Sequence, residues 1–132
     1  MHFLRSSIKW IMLVAGALTC TMAYVALAPQ AALLLLFGET LDGPLAEIVV
    51  RNWGALIALQ GAVLIWGAFN PQVRSLALVF AGACKLVFIA LVLSFGGHYL
   101  GRQAGIAVAI AFDLVCVVLF AWYLLAARTA QA

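Results

Sequence analysis

Four apolar runs, each long enough to cross a bilayer, leave this chain few ways to fold. They cover residues 8–28, closed by Pro29; 45–69, closed by Asn70-Pro71; 75–95, closed by Gly96-Gly97; and 105–127, closed by Arg128. Each run has about 21 to 25 residues, or roughly 32–37 Å of helix, against a hydrocarbon core of about 30 Å. Lipid offers no partner to a free backbone N–H or C=O, so each span is expected to be helical, satisfying its own hydrogen bonds. The expected fold is all-α: an integral-membrane four-helix bundle in one domain.

Composition excludes the alternatives. Of 132 residues, 68% are hydrophobic and 8% charged. A soluble domain carries about a quarter charged residues, and a disordered chain needs more charge still. Seven Lys/Arg against four Asp/Glu give a net charge of +3. They are scattered, with no basic run, so no nucleic-acid partner is expected; membrane lipid is. Arg5, Lys9, Arg74 and Arg128 fall on one side of the layout. Arg102 alone lies in a connection on the other, whose first loop carries Glu39 and Asp42. The positive-inside rule then puts both termini in the cytoplasm of a cytoplasmic (inner) membrane. Trp10, Trp122 and Tyr123 belong to the inner interface and Trp53 nearer the outer one.

The connections are short. Asp42-Gly43-Pro44 offers a cap followed by proline in the first turn of span two. Residues 30–37 are apolar but too short to span, which suits an interfacial helix or a dipping loop. Residues 38–42 form a polar turn. Ala26-Leu27-Ala28 fits a signal-cleavage pattern that would leave three spans. The run before it is long for a signal core, and a retained first helix is the expectation. Cys20, Cys84 and Cys116 all lie in apolar stretches with no paired spacing, so they are expected to be packing residues and neither bridges nor metal ligands.

The informative residues are the ions inside the spans. Lys85 stands ten residues from either end of span three and Asp113 eight past Gly105. These counts place them roughly 15 and 12 Å deep. Spans three and four should be antiparallel neighbours, which brings the two ions to one height. An unpaired charge there costs about 2.5–3.5 kcal/mol, and an ion pair reduces that cost.

Arg51 is expected roughly 10 Å down from the same side, with Glu47 one turn above it for an i,i+4 pair. Their stripe continues through Gly54, Ala58 and Gly61, small residues that mark a close helix approach. Ala81 and Gly82 precede Lys85 by one turn, and Ala109 and Cys116 bracket Asp113. A buried polar cluster is therefore expected, made of Glu47, Arg51, Asn52, Lys85 and Asp113. His98, Tyr99 and Arg102 would form the mouth of a cavity above it. Gln60, opposite Arg51 on its helix, suits contact with another chain or tolerance by lipid.

Catalytic templates are missing. There is no phosphate-binding G-x-x-x-x-G-K-[ST], no H-E-x-x-H and no G-x-S-x-G. No catalytic residue, metal or obligatory cofactor is expected.

Ala28-Pro29, the short apolar segment, the polar turn, Arg51-Asn52-Trp53-Gly54 opening span two, and Asn70-Pro71-Gln72-Val73-Arg74 between spans two and three together resemble the DoxX-like small four-helix membrane proteins. The likeness covers roughly residues 8–127 and is one of layout plus an R-x-x-G element, in which Arg51 and Gly54 match. It implies a four-helix membrane fold, with roles in the group that run from quinone-coupled sulfur oxidation to membrane scaffolds. The first functional reading is an accessory, scaffold or assembly subunit that pairs with another membrane protein or with itself. The second is a lipid- or quinone-binding component of a redox complex. The third is a small transporter with Asp113 as its proton site.

Overall fold

A computed structural model describes residues 2–131; the side chains of His2, Leu4 and Arg5, and so the parts given above to His2 and Arg5, lie outside the described residues. Seven helices follow one another: α1 His2–Cys20, α2 Ala23–Leu27, α3 Pro29–Phe37, α4 Pro44–Phe69, α5 Pro71–Phe95, α6 Gly97–Leu100 and α7 Ala104–Gln131. Four stretches are long and apolar enough to cross a membrane: Ser6–Leu27, Pro44–Phe69, Pro71–Phe95 and Ala104–Gln131. Within an apolar 18-residue window of each, only 22% to 33% is buried inside the protein. The remaining surface is dominated by leucine, valine and phenylalanine, an outer face suited to acyl chains and unsuited to water.

The first span is broken. Thr21 and Met22 form a turn between α1 and α2, held by N–H bonds to Leu18 O and Thr19 O, three residues back. Thr19 Oγ1 donates to Ala15 O at 2.7 Å and Thr21 Oγ1 to Leu18 O. Hydroxyls that bond back to the preceding turn bend helices in this way. Pro29 lacks an N–H, so it ends α2 and opens α3 at its first position. Residues 30–37 form a helix that turns inward, with Ala32 and Leu33 packed on Val25 and Val50. Gly38, at φ 74°, ends α3 in the left-handed region that favours glycine.

Two helix starts differ from the sequence expectation. The residue before Pro44 that caps α4 is Gly43, with no side-chain cap bond, so Asp42 does not serve there. Helix α5 begins at Pro71, four residues before the expected start. Proline at the first helical position needs no hydrogen-bond partner, and so Asn70-Pro71 closes one span and opens the next. At this tight turn Arg74 donates to Gly67 O (3.3 Å) and Ala68 O (2.9 Å), satisfying carbonyls that the end of α4 leaves free.

The helices pack in the order α1, α4, α5, α7. Lipid tails are as apolar as leucine, so association rests on close packing and not on exclusion of water. The α1–α4 contact is the closest. A Cβ on Gly61 would stand 2.6 Å from Gly16 O and 2.7 Å from Cys20 N, and one on Gly16 would stand 2.8 Å from Gly61 O. The stripe of Gly54, Ala58 and Gly61 therefore does bring a neighbouring helix to backbone contact, and that neighbour is the α1–α2 arm.

The bundle has two unlike halves. At the base, the end holding the α4–α5 turn, Met12, Leu64, Leu78 and Phe120 belong to one core shared by α1, α4, α5 and α7. Toward the opposite, loop end the core divides. Val25, Ala32, Leu33 and Val50 cluster among α2, α3 and α4; Ile89, Val92, Ile106 and Ile110 cluster between α5 and α7. A cleft separates them.

Gly61→Leu should push α1 off α4, because the obstructing atoms are backbone and cannot swing aside. The expected loss is about 1–3 kcal/mol in unfolding free energy, read by thermal or denaturant unfolding in detergent micelles. Gly97→Ala, where an added Cβ meets nothing within 4 Å, should leave stability unchanged.

Candidate functional site

The cleft encloses about 870 Å³. Its walls are almost wholly apolar, drawn from α4 (Trp53, Ile57), α5 (Phe88, Leu91) and α7 (Phe112), with Met22 and Leu36 closing it from the first arm. The polar residues that reach it are few. Lys85 and Asp113 lie toward its base end, its floor, and Thr19, Thr21 and Gln60 are the other polar side chains of the lining.

Lys85 and Asp113 meet as their heights in the spans require. Lys85 Nζ donates to Asp113 Oδ1 at 2.6 Å, and the side chains are 5% and 13% exposed. The ammonium also lies 4.8 Å from the centre of the Phe112 ring, where the ring face attracts a cation. Lysine carries three N–H donors. One serves Asp113 and one side of the head is covered by Phe112. No other protein acceptor takes a Lys85 N–H among the described residues.

Gln60 belongs to the same floor. It is buried, with Nε2 donating to Ala81 O across the α4–α5 contact at 3.3 Å. The expectation of contact with another chain or with lipid is corrected: Gln60 points into the bundle and ties two of its helices together.

Three members of the expected cluster lie elsewhere. Arg51 and Glu47 do pair, Nε to Oε2 at 3.7 Å, but they are 45% and 49% exposed and do not join Lys85. Asn52 is exposed as well. Arg51 Nη1 donates instead to Ala26 O at 2.7 Å and to Leu27 O at 3.5 Å, the carbonyls stranded where Pro29 interrupts the helix. One turn on, a Cβ at Gly54 would stand 2.6 Å from Val25 Cβ and 2.7 Å from Ala26 N. The R-x-x-G element is thus a clasp of α4 onto the broken first arm.

The cavity-mouth expectation is corrected too. His98, Tyr99 and Arg102 do not line the cleft. The loop end is closed by a chain of rings: Tyr99 on Phe37 (5.2 Å), Phe37 on Trp53 (6.4 Å) and Trp53 on Phe88 (6.2 Å). Trp53 therefore packs inward, half-buried between Phe37 and Phe88. Tyr99 Oη donates to Glu39 Oε2 at 3.0 Å, latching α6 to the α3–α4 loop over this roof. His98 stacks on Tyr99, and it and Arg102 are exposed.

Among the described residues no three His, Cys, Asp or Glu side chains converge on a possible metal position. The three cysteines are free thiols; Cys20 Sγ donates to Ala58 O at 3.4 Å and Cys116 is buried in the base core. Trp53, Phe88 and Phe112 were not legible as site residues beforehand, since aromatics in an apolar span look like any lipid-facing residue. The one usable signal was Gln60, a mid-span polar residue opposite the small-residue stripe. A scan of family models, a search of curated proteins and a search of solved structures found no match to this chain.

The Tyr99 phenol is held above its ordinary value of 10.0, first by its hydrogen bond to the Glu39 carboxylate, then by desolvation and by that carboxylate's charge. A raised folded-state value means that the latch stabilises fully below the ordinary phenol range and fails as pH climbs through the raised value. Ultraviolet phenolate titration, taken as the difference between the parent and Tyr99→Phe, should show a midpoint above that of a free tyrosine. Glu39→Ala should bring it down.

Proposed function

We propose that this chain is a small multi-pass protein of the cytoplasmic membrane, both termini inside, that holds a lipid-soluble molecule in its split half. The cleft carries this reading. Its volume of about 870 Å³ lies within the roughly 300–1,000 Å³ of small-molecule sites, and its make-up is that of such sites, apolar walls with a few convergent polar groups. A protein that served only as a scaffold would have no reason to part its helices around a buried ion pair. In lipid an unfilled cleft also forfeits the packing contacts on which helix association depends.

Lipid or quinone is the class of ligand we assign, with Lys85, Asp113 and Gln60 at its polar end. No group poised for bond-breaking accompanies them, so we assign a binding, accessory role and not an enzymatic one. The DoxX-like layout supports the same placement, as a subunit that serves a larger membrane complex through contact with a second protein or a second copy. The basic residues Lys9, Arg74 and Arg128 at the base, against Arg102 alone in the connections of the loop end, support the orientation. Asp113 as a proton site of a transporter has less support, because its Oδ1 is engaged by Lys85.

Purification in native-lipid discs followed by mass spectrometry of the extract tests the reading. A neutral lipid-soluble molecule at about one copy per chain is expected. It should be missing from Ala109→Trp, which fills the cleft, while that variant remains folded. An empty cleft together with a stoichiometric protein partner would favour the scaffold reading.

A further inference from the structure

The cleft is shut toward the loops and open toward the sides. Among the described residues its charged lining residues are Lys85 and Asp113, and the loop residues His98, Tyr99 and Arg102 do not line it. Above it stand the ring chain from Tyr99 to Phe88 and the Tyr99–Glu39 latch, between the cleft and the loops. Exposed residues line the cleft on α1 and α7 (Leu18, Val108) as well as on α4 and α5, and the opening between α4 and α5, a window, is the one framed by contacts above and below. Its sill is the crossing where Gln60 Nε2 meets Ala81 O, and its lintel is the Trp53–Phe88 ring contact. Seven residues separate these two levels on each helix, roughly 10 Å of rise. The jambs are Leu56 and Leu59 on α4 and Cys84 and Val87 on α5; all four line the cleft, and the two leucines and the valine are also exposed.

A phospholipid is poorly suited to such a site. Its charged headgroup would have to stay at the water interface, and the roof separates the cleft from that interface. The polar floor, moreover, lies roughly 15 Å deep by the position of Lys85 in its span. A molecule dissolved wholly in the acyl phase meets neither obstacle. Its oxygen would find the remaining donor capacity of Lys85, while its apolar body would lie against Phe112, Ile57 and Phe88.

We propose that the cleft is filled from the bilayer interior, through the α4–α5 window, by an uncharged apolar molecule that sets a carbonyl or hydroxyl oxygen on the Lys85 ammonium. This deepens the reading of the cleft as a ligand site and rests on it. It names the chemical class of the occupant and its route.

Benzophenone, a neutral bilayer-soluble ketone that cross-links on illumination, is the probe; its carboxylate, 4-benzoylbenzoate, is the control. With the full chain in lipid vesicles, benzophenone should label the α7 peptide holding Phe112 saturably, and the carboxylate should not. Leu59→Trp, which narrows the window from an exposed position, should slow that labelling severalfold. Val118→Trp, an exposed position on α7 outside the cleft, should leave it unchanged. Lys85→Met/Asp113→Leu should raise the half-saturating benzophenone concentration about tenfold, as loss of a charge-assisted hydrogen bond requires. Equal labelling by the carboxylate, indifference to Leu59→Trp, or no saturable labelling of the floor would overturn the proposal. Failure of the ligand-site reading shows separately, as native protein that carries no small molecule although benzophenone still enters by the window.

Discussion

The contact between Lys85 and Asp113 constrains everything around it. Each side chain alone would leave a charge in surroundings made of leucine, valine and phenylalanine, at a cost of about 2.5–3.5 kcal/mol. Together, at 2.6 Å, they restrict α5 and α7 to one relative height, since a slide of one helical turn would separate them by roughly 5.4 Å. That register sets which residues of the two helices face each other above and below. Below, Cys116 and Phe120 complete the base core with Ala77, Leu78 and Ala81. Above, Ile106 and Ile110 pack on Ile89 and Val92. The pair is the level at which one core becomes two.

The other polar side chains divide the remaining mechanical work. Arg51 and Arg74 each end a helix, taking carbonyls left free at Pro29 and at Asn70-Pro71. Both are corner pieces, placed where a proline breaks the hydrogen-bond ladder, and their positive charge suits the negative end of a helix. Gln60 crosses from α4 to α5. Glycines do the rest: Gly16 and Gly61 let α1 and α4 meet backbone to backbone. The base is thereby tight, and the loop half, where α1 gives way to the turned-in α2 and α3, is parted. A bundle built this way can hold a guest in one half without loosening the other.

The helical content and the spans were legible because bilayer length and backbone satisfaction leave no second choice. The Lys85–Asp113 contact was legible because height along a helix follows from counting residues. Direction around the helix axis was harder. Glu47, Arg51, Gly54, Ala58 and Gly61 do share one face of α4, and that face does meet another helix. It meets α1 and α2, however, while the opposite face, marked by Gln60, looks toward Lys85. A stripe of small residues says that a neighbour comes close and not which neighbour. The turn at Thr21-Met22 was hidden for a different reason: two threonines in an apolar run weaken a helix only slightly, and the break shows once their hydroxyls bond back to the chain. The inward packing of Trp53 followed from it, because α3 supplies Phe37 as the ring against which Trp53 rests.

A double-mutant cycle on Lys85 and Asp113, with reversible unfolding followed in lipid-detergent mixtures, tests the account most directly. Lys85→Met and Asp113→Leu, taken singly, should each cost about 3–5 kcal/mol by stranding the other ion, while the double change should come within about 1 kcal/mol of the parent or exceed it. Additive losses, with the double variant as unstable as the sum of the singles, would mean that the two ions do not act on one another, and the floor of the cleft would lose its physical basis.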